Sequence, residues 1–377
     1  MKKIVSILGA VAVLASSAFA LDISAMIQLD GDIAAFGKDT TKLFMLKEWD
    51  PQGTSDYHYK FDVSGDKAGA TVFNYAGGDN NIEADTENVH EWNLWFKPVD
   101  MLKVTVGDIY HGSAQPHFGW WAKVIDHADY GYQADLSPID GLNLTFGIGS
   151  AYTGLWESAA HGTYWFDKNG TGLRKLGEFW AGGSYNVDGV GAFGLSIDRG
   201  AKVNPHGFAQ TQAWGATPLA LDFYYSNQPW GQTGWFADAA LVWKEKSPYG
   251  STEDDFDIEL DRLTSQLYFE LHSDAFALYL IDVLEYNFDE NAGDDGKTKA
   301  FKDGFELKAQ YAIDAYTPYI QIDGYNVMDS KLGVKLAVGF SVGSCSFDVG
   351  PNFAINWADS DNTTFDVTVP IQFTLNF

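Results

Sequence analysis

Residues 363–377 read TTFDVTVPIQFTLNF. Phe365, Val367, Val369, Ile371, Phe373, Leu375 and Phe377 take every second position, with Asp366, Thr368, Pro370, Gln372, Thr374 and Asn376 between them. Successive side chains of a β-strand point to opposite sides, so the segment predicts one wholly apolar face and one polar face. Strands of soluble sheets have ~5–6 residues, whereas this alternation holds from Phe365 to Phe377. Pro370 brings no N–H to a ladder, which predicts a bulge or a locally unpaired position there.

The same period of two recurs along the chain. Leu21, Ile23, Ala25, Ile27 and Leu29 oppose Asp22, Ser24, Gln28 and Asp30, and Asp32 continues the polar row. Trp92, Leu94 and Phe96 oppose Glu91, Asn93 and Trp95; Leu102, Val104 and Val106 oppose Lys103, Thr105 and Gly107. Helical period is nearly absent, so the fold class is all-β. PVDMLKVTVG (98–107) and PIDGLNLTFG (138–147) echo each other at an offset of 40 residues. Each starts on a Pro and Asp turn pairing and launches an alternating strand. Shorter turns near 186–191, 272–275, 313–318 and 342–346 alternate with longer stretches at 37–55, 77–88, 111–127, 151–177, 200–216, 245–261 and 287–303. Turns that run short, long, short, long predict an antiparallel meander whose two rims face different compartments. The strands number eighteen, or sixteen if 217–226 or 316–324 is not one. A soluble sandwich or solenoid would need a protein partner for every apolar face, and no helix or second apolar pattern is left to supply it. Lipid can be that partner, and closure into a barrel leaves no unpaired edge.

The other end of the chain agrees. Lys2 and Lys3 precede an apolar run from Ile4 to Ala15, and Ala18-Phe19-Ala20 offers small residues at the positions a signal peptidase reads. Residues 1–20 are therefore expected to be a cleaved signal peptide, and residues 21–377 one transmembrane β-barrel domain. Cys345 is the single cysteine, so no internal disulfide staples the exported chain. Asp and Glu total 51 against 24 Lys and Arg. That acidity argues against nucleic acid as a partner, which attracts basic surfaces.

The terminal strand resembles the C-terminal signature of outer-membrane β-barrels: an aromatic last residue, Phe377, with Leu375, Phe373, Ile371 and Val369 before it. Size and turn alternation resemble porins of the sixteen- to eighteen-stranded class. The resemblance implies an integral outer-membrane protein with short periplasmic turns and long extracellular loops. It further implies that Phe373, Leu375 and Phe377 form the signal read by the barrel-assembly machinery, and that homotrimers are usual.

A ring of that size leaves an aqueous lumen, so the polar rows predict its lining. The charged candidates are Asp30, Asp32, Asp62, Glu91, Lys103, Asp135, Glu178, Asp222, Asp238, Glu270, Glu306, Lys335 and Asp366. The glycines 107, 147, 149, 333 and 339 are expected to keep the bore open. Acids outnumber bases along these rows, and fixed charge of one sign enriches counter-ions. The expected function is passive diffusion of small hydrophilic solutes with cations preferred. Trp120, Trp121, Trp156 and Trp165 crowd the long loops, where rings could stack on sugars, as the resemblance to sugar porins implies, or form an interfacial girdle. The alternative to either channel is a plugged barrel acting through its loops as a surface adhesin or structural protein. His111, His117 and His127 match no compact metal motif, and no cofactor is expected. Neither a nucleophile elbow nor an HExxH pattern occurs, so the chain is not expected to be an enzyme.

Overall fold

The computed structural model describes residues 22–37, 40–46, 57–76, 90–109, 125–126, 129–149, 179–199, 202–203, 219–227, 232–245, 258–288, 301–325, 331–357 and 363–376. They form a closed antiparallel barrel of 18 strands. The first six are β1 (Asp22–Gly37), β2 (Thr40–Leu46, continued by Tyr57–Ser64), β3 (Ala68–Ala76), β4 (His90–Val99), β5 (Leu102–Ile109) and β6 (Asp129–Ile139). The next six are β7 (Leu142–Gly149), β8 (Phe179–Val187), β9 (Gly191–Arg199), β10 (Leu219–Ser226), β11 (Gly234–Glu245) and β12 (Ile258–His272). The ring is completed by β13 (Phe276–Asn287), β14 (Phe301–Tyr311), β15 (Tyr316–Tyr325), β16 (Lys331–Val342), β17 (Cys345–Val349 and Asn352–Asn356) and β18 (Thr364–Asn376). Each strand pairs with its sequence neighbours, and β18 returns to β1 from Met26↔Asn376 to Phe36↔Val367. Both segments that left the strand number open, 217–226 and 316–324, carry strands, β10 and β15.

Alternation becomes geometry in the register. Phe193, Leu195 and Ile197 sit opposite Tyr225, Phe223 and Leu221 on one face, and Gly194, Ser196 and Asp198 sit opposite Tyr224, Asp222 and Ala220 on the other. The first set is the outward face, where Phe193, Leu195, Ile197 and Phe223 are exposed. At the end of the short turns, outward rings touch around the barrel. Tyr225 lies 4.8 Å from Phe193 and 4.6 Å from Trp235. Tyr316, Phe340, Phe347 and Phe373 follow one another at 6.0, 4.8 and 5.1 Å.

Irregularities fall where the backbone cannot continue the ladder. The β1–β18 register shifts between Asp32 and Ala34, opposite Pro370 and Val369, so the proline without an N–H meets a bulge. The two echoed segments share one device. Register shifts between Phe96 and Val99 and again between Leu136 and Ile139. Lys97 N–H then donates to Lys67 C=O at 2.7 Å, and Ser137 N–H to Met101 C=O at 2.8 Å. The stretch 37–55 departs from the expected loop: β1 runs to Gly37 and β2 resumes at Thr40, because Leu43 and Lys42 pair with Ala34 and Ala35. The loop expected over 245–261 also shrinks, since β12 opens at Ile258.

Candidate functional site

The inner wall is the candidate site, and it divides into two arcs. From β8 to β13, and at Gly304 and Glu306 of β14, most inward positions are covered. Phe236 is 1% exposed and Val283 0%, and with Tyr224, Tyr268 and Ile281 they make a buried cluster, against which Tyr279 packs. Trp180 lies flat across Gly147, where an added Cβ would meet the indole at 1.9 Å, and donates its Nε1–H to Gln133 Oε1 at 2.9 Å. Tyr224 covers Gly194 in the same way. These glycines make room for rings. Gly147 therefore does not widen the bore as expected, and Gly333 accommodates the Asp323 carboxylate, whereas Gly339 has no atom closer than 3.8 Å to an added Cβ.

Acids on this arc are packed into the wall. Asp222 is 0% exposed, Asp238 1%, Glu270 3% and Glu306 6%. Ser196 donates to Asp198 at 2.6 Å, the Tyr268 hydroxyl donates to Glu270, and His272 Nε2 stands 2.8 Å from Glu270 Oε2. Near the opposite end, Arg262 Nη2 lies 2.7 Å from Asp261 Oδ2, and its Nη1 lies 3.7 Å from Glu285 Oε2. Lys302 Nζ closes the group 3.1 Å from Glu285 Oε1, and Thr264 donates to the same carboxylate at 3.3 Å. Arg262 faces inward at the parity of Thr264 and Gln266, and the register shift between Val242 and Trp243 leaves Asp261 as the extra residue beside it. A buried charge must be compensated to persist, and the partners of Glu270 and Glu285 supply that compensation.

From Lys308 on β14 through β18 and on to β7, most described inward side chains are half-buried or exposed, although Thr105, Thr145 and Ala337 are buried. Lys60 and Thr71 hold Asp62 at 2.9 and 2.7 Å. Gln133 and Thr145 donate to Asp135 Oδ1 at 3.0 and 2.9 Å. Lys335 and the Tyr319 hydroxyl both reach Asp348 Oδ1 at 2.8 Å. Two aromatic rings carry paired ammonium groups. Lys308 and Lys335 lie 4.4 and 5.3 Å from the Tyr319 centroid, and Lys97 and Lys103 lie 5.7 and 5.5 Å from that of Trp95.

Of the expected lining, Asp62, Lys103, Asp135, Lys335 and Asp366 point inward on the open arc, while Asp222, Asp238, Glu270 and Glu306 point inward on the covered one. Asp30, Asp32 and Glu91 hold inward register positions, opposite Gln372, Pro370 and Phe73. Glu178, Trp120, Trp121, Trp156, Trp165, Phe377 and the histidines 111, 117 and 127 lie outside the described residues. Phe373 and Leu375 are outward on β18, Phe373 within the aromatic girdle. Sequence reasoning missed Tyr319, Asp348, Trp180 and Tyr224 as wall residues, although Trp180 and Tyr224 stand at polar-row parity beside glycines. Among the described residues no group of three or more His, Cys, Asp and Glu is placed to hold a metal ion.

No protein-family model matches the chain, and no curated protein matches it. Solved structures do match. The chain is similar to Pseudomonas aeruginosa OccK9 (OpdG), with a TM-score of 0.52 and 10% identity over 95% of this chain and 98% of that one. A BenF-like porin from Pseudomonas fluorescens aligns with a TM-score of 0.51 and 12% identity over 94% and 99%. Pseudomonas aeruginosa OpdO aligns at 0.51 and 12% over 95% and 97%. At these identities the likeness is one of fold.

Proposed function

We propose that the chain is an outer-membrane porin through which small hydrophilic solutes diffuse passively. The observation that carries this reading is the closed ring itself. Its outward face is apolar and ringed by aromatics, and one arc of its inward face presents accessible lysines and aspartates. A ring of eighteen strands is wide enough to hold a water channel, and the aromatic girdle suits a membrane–water interface. The fold likeness to proteins whose names include a BenF-like porin points the same way. Residues 1–20 are removed on export in this reading, and mass spectrometry of mature protein should find Leu21 first. The outward Phe373 and Leu375, with Phe377, serve the assembly machinery, and the barrels associate as trimers in the membrane, which cross-linking in native membranes would reveal. The short turns face the periplasm. The aromatic loop residues are not assigned a sugar-binding role, and the cation preference expected from charge counts is not retained, because much of the acid excess lies on the covered arc.

Planar-bilayer recording from refolded protein tests the reading. Discrete, steady conductance steps are expected. Silence from protein shown to be folded and inserted would overturn it and leave a plugged barrel acting through its loops.

A further inference from the structure

We propose that ionic selectivity is set on the open arc and favours anions, although the whole chain carries a formal charge of −27. The inference rests on the conduit reading above.

Counter-ions gather where a fixed charge meets the aqueous path. Asp198, Asp222, Asp238, Glu270, Glu285 and Glu306 do not meet it, each being buried in the wall between β9 and β14. Burial demands compensation by hydrogen bonds, cations or protons, and a paired cation or a bound proton cancels the charge that the lumen would otherwise meet. On the open arc, Asp62, Asp135 and Asp348 are each held by donors of their own wall, two of them by lysines.

The lysines are held differently. Among the described residues Lys97, Lys103 and Lys308 have no carboxylate within ion-pair distance; each lies over a ring. A ring face steadies an ammonium by its quadrupole but carries no net charge, so the positive charge stays available. The two stations belong to β4–β5 and to β14–β16, six or more strands apart around the ring by the shorter way, so they look across the bore. Both lie toward the short-turn end. Asp366, an exposed acid between them on β18, is near the other end of its strand, Asp22 stands at the rim, and Asp66 and Asp100 are exposed on the short turns. A small anion entering from the short-turn side thus meets ammonium groups on both flanks, with Asp100 near Lys97 and with Asp348 and Glu306 near Lys308.

Reversal potentials under a KCl gradient decide this. The wild-type channel should pass chloride more readily than potassium. Lys103→Gln combined with Lys308→Gln should lower the chloride-to-potassium permeability ratio by about twofold, while Asp222→Asn should leave it unchanged. If the double variant does not fold, acetylation of lysines in the assembled wild-type channel should move the ratio the same way. Conducting steps with a cation-selective potential, or a ratio that ignores the loss of lysine charge, would overturn the selectivity assignment while sparing the conduit. Absence of any steps would instead overturn the conduit reading, and the selectivity with it.

Discussion

Gly147 is the floor on which an indole rests. Any side chain there collides with Trp180, whose ring is fully buried and cannot swing aside without opening the wall. Gly147→Leu is expected to lower barrel stability by about 1–3 kcal/mol, read from the urea midpoint of tryptophan fluorescence in lipid vesicles. Arg262 poses the reverse case. Removing it leaves Glu285 with Lys302 and takes from Asp261 its guanidinium partner, and a broken buried pair costs about 3–5 kcal/mol. Arg262→Leu should therefore destabilise more than Lys60→Leu, whose pair with Asp62 is largely solvated. On the short turns, Lys67 bonds to Asp100 and holds its carboxyl below the usual carboxylate range. Stability from a depressed carboxyl is present above its unfolded pKa and is lost as pH falls through the folded one. Lys67→Ala should return the Asp100 titration, followed by carboxyl-carbon NMR, toward ordinary values.

At the level of strands, β1 and β18 close the ring around one bulge. Ile33 is the extra residue between Asp32 and Ala34, and inserting a second residue beside it would turn one half of β1 onto the wrong face. The expected result is a chain that inserts poorly and lacks the heat-modifiable gel shift of a folded barrel. The strands themselves were legible because alternation and turn pairing are local: β18 could be read from Phe365 to Leu375, and the two Pro–Asp echoes became two identical register shifts. Parity also put Asp222, Asp238, Glu270 and Glu306 on the correct face. It could not say whether that face meets water, because covering depends on side chains from neighbouring strands, such as Tyr224 over Gly194. The group at Arg262 was hidden for a related reason. A bulge at Asp261 switches parity inside a stretch that reads as loop.

For the whole molecule, strand number and bore are separate quantities. Aromatic and ionic packing occupies the inward face from β8 to β14, so the aqueous path lies off the barrel axis against the other arc. Trp95→Ala should raise single-channel conductance, because Trp95 stands on the open side. Phe236→Ala should leave conductance unchanged while reducing stability, since its ring is enclosed. The two measurements on one pair of variants separate lining from packing. In mechanical terms the barrel is a hoop with one braced side. A buried cluster of rings and buried salt links stiffen β8–β14, whereas on β15–β18 and the first strands the rings and ion pairs lie nearer the surface. In the membrane setting proposed above, lateral pressure will then flatten the hoop along one direction only, and the width of the proposed channel will follow the tension around it.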